Sequence, residues 1–154
     1  MADTGNDNWL EAAVVPCPRC GVRLFVALHS PFCDDYRLYC DACPAAVEVG
    51  LYDDTLVRIV ATLPAGYDYD ALVAAVEPRL APCACGGRYR GRAPRRCLAC
   101  HAVVPAAAGK DVFPATASHA TDREPTDAEW DEYARFETRF VWPKDLWRPD
   151  GAPT

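Results

Sequence analysis

Apolar and polar residues alternate in short runs through the first third of the chain. Residues 22–28, V-R-L-F-V-A-L, and 36–40, Y-R-L-Y-C, read as two strands of a hairpin, with Ser30, Pro31, Asp34 and Asp35 supplying the turn between them. In A-A-V-E-V-G-L-Y, Val47, Val49 and Leu51 share one face. Asp53-Asp54 then marks a turn, and T-L-V-R-I-V-A-T-L predicts a further strand, giving three or four antiparallel strands that end at Pro64-Ala65-Gly66. Asp68 or Asp70 caps a short helix over residues 70–77, with Leu72, Val73 and Val76 on one side. Short strands are predicted at 88–90, 95–97 and 102–104. Residues 105–125, rich in Ala, Pro, Thr and Ser and without periodicity, read as a linker or extended arm. T-D-A-E at Thr126 is a capping box, so a helix runs from there to near Phe140, before Pro143, with Trp130, Tyr133, Phe136 and Phe140 at near-helical spacing. The tail V-W-P-K-D-L-W-R-P carries Trp142, Leu146 and Trp147 in an irregular segment.

The 154 residues, 51% hydrophobic and 25% charged, suffice for one modest domain or two small ones. No apolar run reaches the roughly 18 residues of a membrane span. Met1 to Leu10, with two Asp and no basic residue, does not read as a leader, so a cytoplasmic, reducing environment is the expectation and structural disulfides are disfavoured.

In that environment the nine cysteines change the picture. Eight fall into close pairs: Cys17 and Cys20, Cys40 and Cys43, Cys83 and Cys85, Cys97 and Cys100; Cys33 stands in the predicted turn. Two facing loops with paired thiolates supply the four soft donors a tetrahedral metal takes. Gly21 after Cys20, and Gly86 and Gly87 after Cys85, permit the left-handed backbone such a knuckle needs. Sequence order groups Cys17, Cys20, Cys40 and Cys43 as one site and Cys83, Cys85, Cys97 and Cys100 as the other, because the shorter loops close more cheaply. Zn2+, two per chain, is the expected ion, with iron as the runner-up. Pro44 and His101, where rubredoxin knuckles usually carry glycine, favour zinc.

The four knuckles resemble the zinc-ribbon (rubredoxin-like) group of folds, twice over, across residues 17–43 and 83–104. The resemblance implies a small metal-stabilised α+β fold with two tandem ribbons, short antiparallel sheets, one short middle helix and one C-terminal amphipathic helix. The expected organisation is a first ribbon with its sheet at 1–64, a helix and connector at 65–82, a second ribbon at 83–104, a linker at 105–125, and a helix with aromatic tail at 126–154. The resemblance implies no particular activity.

Charge is uneven. Residues 79–100 hold six arginines (Arg79, Arg88, Arg90, Arg92, Arg95, Arg96) and no acid, within a chain of net charge -6. The segment R-Y-R-G-R-A-P-R-R admits three readings: a nucleic-acid contact with Tyr89 stacking on a base, a dock for an acidic protein surface, or compensation of the thiolate charge. Trp142, Leu146 and Trp147 are candidates for burial against a partner. No phosphate loop, dinucleotide fingerprint or metalloprotease motif occurs, and His29, His101 and His119 are far apart in sequence. The expectation is a non-enzymatic adaptor or accessory subunit. The alternative is a nucleic-acid-binding protein acting through residues 88–96. No membrane contact is expected.

Overall fold

A computed structural model describes residues 12–30, 33–121, 123–140 and 145–149. The predicted small α+β class holds: two three-stranded antiparallel sheets, a few short helices and two clusters of four cysteines. The elements in chain order are β1 (Ala12–Pro16), β2 (Arg23–Ala27), β3 (Asp35–Cys40), β4 (Ala46–Gly50), α1 (Asp54–Ala61), α2 (Tyr69–Val76), β5 (Tyr89–Arg90), β6 (Asp111–Pro114), α3 (Ala117–Thr121) and α4 (Asp127–Phe140). They fall into two compact units that are not consecutive in sequence: Met1–Cys33 with Pro94–Glu137, and Asp34–Ala93 with Thr138–Thr154. Residues 34–93 of the second unit interrupt the sequence of the first, in place of the tandem segments expected.

In the first unit the sheet order is β1-β2-β6. Strand β2 alternates strictly, and the two faces have different fates. Leu24 and Val26, with Val112 of β6, are buried beside Cys17, Cys97 and Val104. Phe25, opposite Phe113 in register, faces the other way. There its ring stacks on His119 at 3.8 Å, and Phe113 meets Tyr133 and the edge of Phe136. The Thr126 capping box forms as predicted: the Thr126 amide donates to Glu129 at 2.9 Å and the Glu129 amide donates to the Thr126 hydroxyl at 3.3 Å. Arg123 and the amides of Thr126 and Ala117 hold the Glu129 carboxyl down at about 2.

In the second unit the order is β4-β3-β5. Leu38 and Cys40 of β3 and Val47 and Val49 of β4 form the buried face, covered by Leu56 and Ile59 of α1 and Leu72 and Val76 of α2. Helix α1 replaces the strand predicted for residues 55–63. Asp53 accepts from the amides of Thr55 and Leu56 at 2.8 and 3.1 Å, which starts a helix where a turn was expected. Leu56, Ile59, Val60 and Leu63 then fall at helical spacing on the core. Burying Leu56 alone stabilises by about 1.5–3 kcal/mol.

Three further expectations are corrected. Strands β2 and β3 do not pair with each other; β2 is flanked by β1 and β6, and β3 by β4 and β5. The stretch 105–125 is not a linker: it holds β6, whose Val112 is buried, and α3. Residues 88–90 contribute β5 to the second unit, where Tyr39 pairs with Arg90 and Cys40 with Tyr89, while Arg96 and Val103 bridge within the first. The middle helix forms as read, capped by Asp68. Met1 to Leu10, Pro31, Trp142 and Pro143 lie outside the described residues. Among the described residues no helix is long and apolar enough to cross a membrane.

Candidate metal centres

All eight paired cysteines are drawn into two groups of four, but the partners differ from those sequence order suggests. Cys17 and Cys20 meet Cys97 and Cys100 in the first unit; Cys40 and Cys43 meet Cys83 and Cys85 in the second. Within each group the four sulfurs lie within 4.8 Å of one another. The nearest approaches are 3.6 Å for Cys17–Cys100 and Cys20–Cys97, 3.5 Å for Cys40–Cys85 and 3.6 Å for Cys43–Cys83. A tetrahedron of sulfurs at about 2.3 Å from a central ion has edges of about 3.8 Å, and a disulfide would bring two sulfurs to about 2.05 Å. The arrangement fits the first. Both groups fit zinc-ribbon-like sites, and each can hold a metal ion.

The knuckles share one construction. The amide of the leading cysteine donates back across the loop: Cys17 to Val22, Cys40 to Ala45 and Cys97 to Ala102, each at 2.8 Å. In the C-x-C knuckle the loop is one residue shorter, and Cys83 donates to Gly87 at 2.9 Å. The missing residue is thus absorbed by the turn, and both sulfurs still reach the centre. Amides within the loops point at the sulfurs: Arg19 to Cys17, Ala42 to Cys40, Ala45 to Cys43 and Ala99 to Cys97 at 3.4 Å, and Gly87 to Cys85 at 3.3 Å. These bonds offset thiolate charge.

The residue after the second cysteine takes a left-handed backbone in three of the four knuckles: Gly21 (φ 76°), Gly86 (φ 91°) and His101 (φ 64°). His101 is there as backbone; its side chain is exposed and the sulfurs of its site are all cysteine. Gly87 answers a different need. A Cβ there would sit 2.6 Å from the Cys40 sulfur and 2.8 Å from Asp41 Oδ1. The hairpin carrying the third pair presses directly onto the second knuckle. Two hydrogen bonds fix that approach: the Asp41 amide to the Arg88 carbonyl, and the Arg88 amide to Asp41 Oδ1, both at 2.9 Å.

The thiols differ in how tightly they hold their protons. Burial pushes Cys40 up to about 11 and Cys97 up to about 12, and raises Cys43 further. The Cys20 amide, with the other donors around it, brings Cys17 down to about 6, and the Gly87 amide lowers Cys85. Each group therefore joins sulfurs that hold their protons tightly to at least one that gives it up readily.

The arginines are divided between the two units. Arg88, Arg90 and Arg92 belong to the second unit; Arg95 and Arg96 belong to the first. Arg90 pairs with Glu77 at 3.2 Å and Arg92 with Asp70 at 2.6 Å. Arg95 is buried and donates to the Lys110 carbonyl at 2.7 Å, and Arg96 donates to the His101 carbonyl at 3.0 Å. Tyr89, read as a base-stacking ring, is 7% exposed and packs into the core beside Cys40 and Cys83. Leu146 and Trp147, read as partner contacts, lie partly buried against the second unit's own core. The Trp147 indole donates to Asp53 at 3.0 Å, and the Leu146 carbonyl accepts from Ala81 at 2.9 Å. Sequence reasoning missed Asp41 and Gly87 as supports of the second centre. Only the doubled glycine after Cys85 pointed to the latter.

His29 and His119 belong to neither four-cysteine group. His29 Nδ1 meets buried Asp111 at 2.7 Å. His119 Nδ1 accepts from the Thr116 amide at 3.0 Å, which leaves Nε2 to carry the proton toward the Tyr133 hydroxyl at 2.8 Å. Cys33 is exposed and belongs to neither four-cysteine group.

No curated protein and no solved structure matches the chain. A family described as a domain of unknown function (DUF8255) matches residues 13–106, a span that takes in all eight paired cysteines and most of the second unit, and the chain belongs to that family.

Proposed function

We propose that the chain is a non-enzymatic interaction module, an adaptor or accessory subunit of a larger assembly, whose two units are each held by one structural Zn2+. The observation that carries this reading is the closure of both four-sulfur shells. Four cysteines at one ion leave no open position for water or substrate, as structural zinc has and catalytic zinc does not. Thiolate donors favour zinc over harder ions, and Pro44 and His101 at two of the post-knuckle positions favour it over a rubredoxin-type iron. Such sites need reduced thiols, which supports a cytoplasmic location. Exposed apolar side chains support a protein partner: Tyr52 (81% exposed) and Val57 (53%) in the second unit, and Trp130 (57%) in the first. The nucleic-acid alternative loses its support in residues 88–96, since Arg90 and Arg92 are paired with carboxylates and Tyr89 is buried.

Elemental analysis of the purified full chain tests the zinc. Two zinc atoms per chain, with loss of the thermal transition on chelation, is the expected result. Iron, or an unchanged transition after complete metal removal, refutes it. Capture from native extract tests the adaptor. The expected result is one stoichiometric protein partner, retained after nuclease treatment and lost with Tyr52→Ser. Recovery of nucleic acid alone refutes it.

A further inference from the structure

The second unit carries a groove of about 530 Å3, within the rough range of 300–1,000 Å3 of small-molecule sites. Three segments build it. Helix α1 contributes Thr55, Arg58, Ile59 and Thr62, which fall at i, i+3, i+4 and i+7 and so share one face. The turn after α2 contributes Arg79. The tail contributes Trp147, Arg148 and Pro149. The segments are fixed to one another: the Arg148 amide donates to the Arg79 carbonyl at 2.9 Å, Trp147 bridges to Leu80, and the Trp147 indole is tied to Asp53. The Arg58 guanidinium is steadied by the Thr55 hydroxyl at 3.0 Å, and that of Arg79 by the Ala75 carbonyl.

The charge of this groove is out of keeping with the rest of the molecule. The chain has 22 acidic against 16 basic residues, yet three guanidiniums line the groove and, among the described residues, no carboxylate does. Among the described residues, Arg58, Arg79 and Arg148 have no carboxylate partner, while Arg37, Arg90, Arg92 and Arg123 do. Three like charges brought together repel one another unless an anion joins them. Guanidinium is the group that grips phosphoryl oxygens in a bidentate fork. The remaining wall is apolar and partly planar: Ile59, the Trp147 ring and Pro149.

From this we infer that the groove binds an organic phosphate of nucleotide size, its phosphoryl oxygens on Arg58, Arg79 and Arg148 and its planar portion against Trp147 and Ile59. A single phosphate ion would leave most of the volume and the whole apolar wall unused.

Titration calorimetry at low ionic strength, with the full metal-loaded chain, tests this with ADP, pyrophosphate and adenosine as probes. ADP is expected to bind more tightly than pyrophosphate, and adenosine not measurably. Arg148→Gln keeps the backbone bond to Arg79 and removes the charge. It should weaken ADP roughly tenfold or more, as loss of one charge-assisted contact does. Arg58→Gln, on the exposed helix face, should do the same with the thermal midpoint unchanged. Arg92→Gln, whose guanidinium pairs with Asp70 outside the groove, should bind ADP as the parent does. The inference is overturned if ADP does not bind, if Arg148→Gln and Arg58→Gln bind it unchanged, or if pyrophosphate binds equally well. It is also overturned if a single-stranded oligonucleotide lacking terminal phosphates binds more tightly than ADP, since the groove would then track a strand.

Discussion

Gly87→Ala adds one methyl group at the tightest point of the second metal centre. Its Cβ would lie 2.6 Å from the Cys40 sulfur, 2.8 Å from Asp41 Oδ1 and 2.9 Å from the Ala42 Cβ. Non-bonded carbon contacts settle near 3.5–4.0 Å, so each neighbour must yield by about 1 Å. None of them yields freely. The sulfur is one of four that converge on the candidate ion site, Ala42 donates its amide to that same sulfur, and Asp41 is tied to Arg88 through two hydrogen bonds. Overpacking a well-filled interior costs about 1–3 kcal/mol. Backing the hairpin away instead forfeits hydrogen bonds worth about 1 kcal/mol each. Either route gives a loss of about 2 kcal/mol, which is roughly thirtyfold in affinity of that centre for its ion. Competition against a chromophoric chelator, with native mass spectrometry to count bound ions, reads the effect. One ion of two should leave at far lower chelator, with the other unchanged. Gly50→Ala is the control, since a Cβ at Gly50 meets nothing within 4 Å and its backbone angle is unrestricted. If Gly87→Ala and Gly50→Ala give the same release curves as the parent, the crowding argument is wrong.

The pairing of the knuckles is tested by double variants: Cys17→Ser with Cys97→Ser should cost one ion and spare the other, whereas Cys17→Ser with Cys40→Ser should cost both, and native mass spectrometry would show the reverse if the sites followed sequence order. Metal uptake should release protons, because Cys40 near 11 and Cys97 near 12 stay protonated at neutral pH without an ion and must ionise to bind it. Affinity should therefore rise with pH from about 6 toward 11, with Cys17, already ionised above about 6, adding to the slope only below that value; calorimetry in buffers of different ionisation enthalpy counts the protons. Trp147→Phe keeps the ring packing and deletes the bond to Asp53, so the thermal midpoint should fall by an amount equivalent to about 1 kcal/mol.

The eight candidate ligands were legible in the sequence because one- and two-residue spacings between cysteines report purely local geometry. The pairing was not. Extending the closing intervals from 19 and 11 residues to the observed 39 and 76 costs only about 0.6 kcal/mol per doubling. Burial of Leu24, Val26, Val112 and Val104 around the Cys17 and Cys97 pair outweighs that several times over. Helix α1 was hidden for a related reason: Val57, Ile59 and Val60 are β-branched and favour strands, and the Asp53 cap with the buried Leu56 and Ile59 overrides them. Strand β6, four residues between Gly109 and the end at Pro114, has too little length to show alternation and acquires its identity from pairing with β2. The tail was read for its exposed tryptophan; its partner was Asp53, 94 residues earlier.

Because the sequence of the second unit begins before that of the first is complete, there is an order in which the two units can be finished as the chain is made. Cys83 and Cys85 follow Cys40 and Cys43 into the same unit, so that centre can close while synthesis continues. Cys17 and Cys20, made first, wait for Cys97 and Cys100, 80 residues behind Cys20. At 5–20 residues per second the wait is about 4–16 s. Through that interval the ribosome carries a half-built centre with two unprotected thiols. The earliest-made cysteines of the chain are therefore the ones whose fate depends most on how reducing, and how well supplied with metal, their surroundings are at birth.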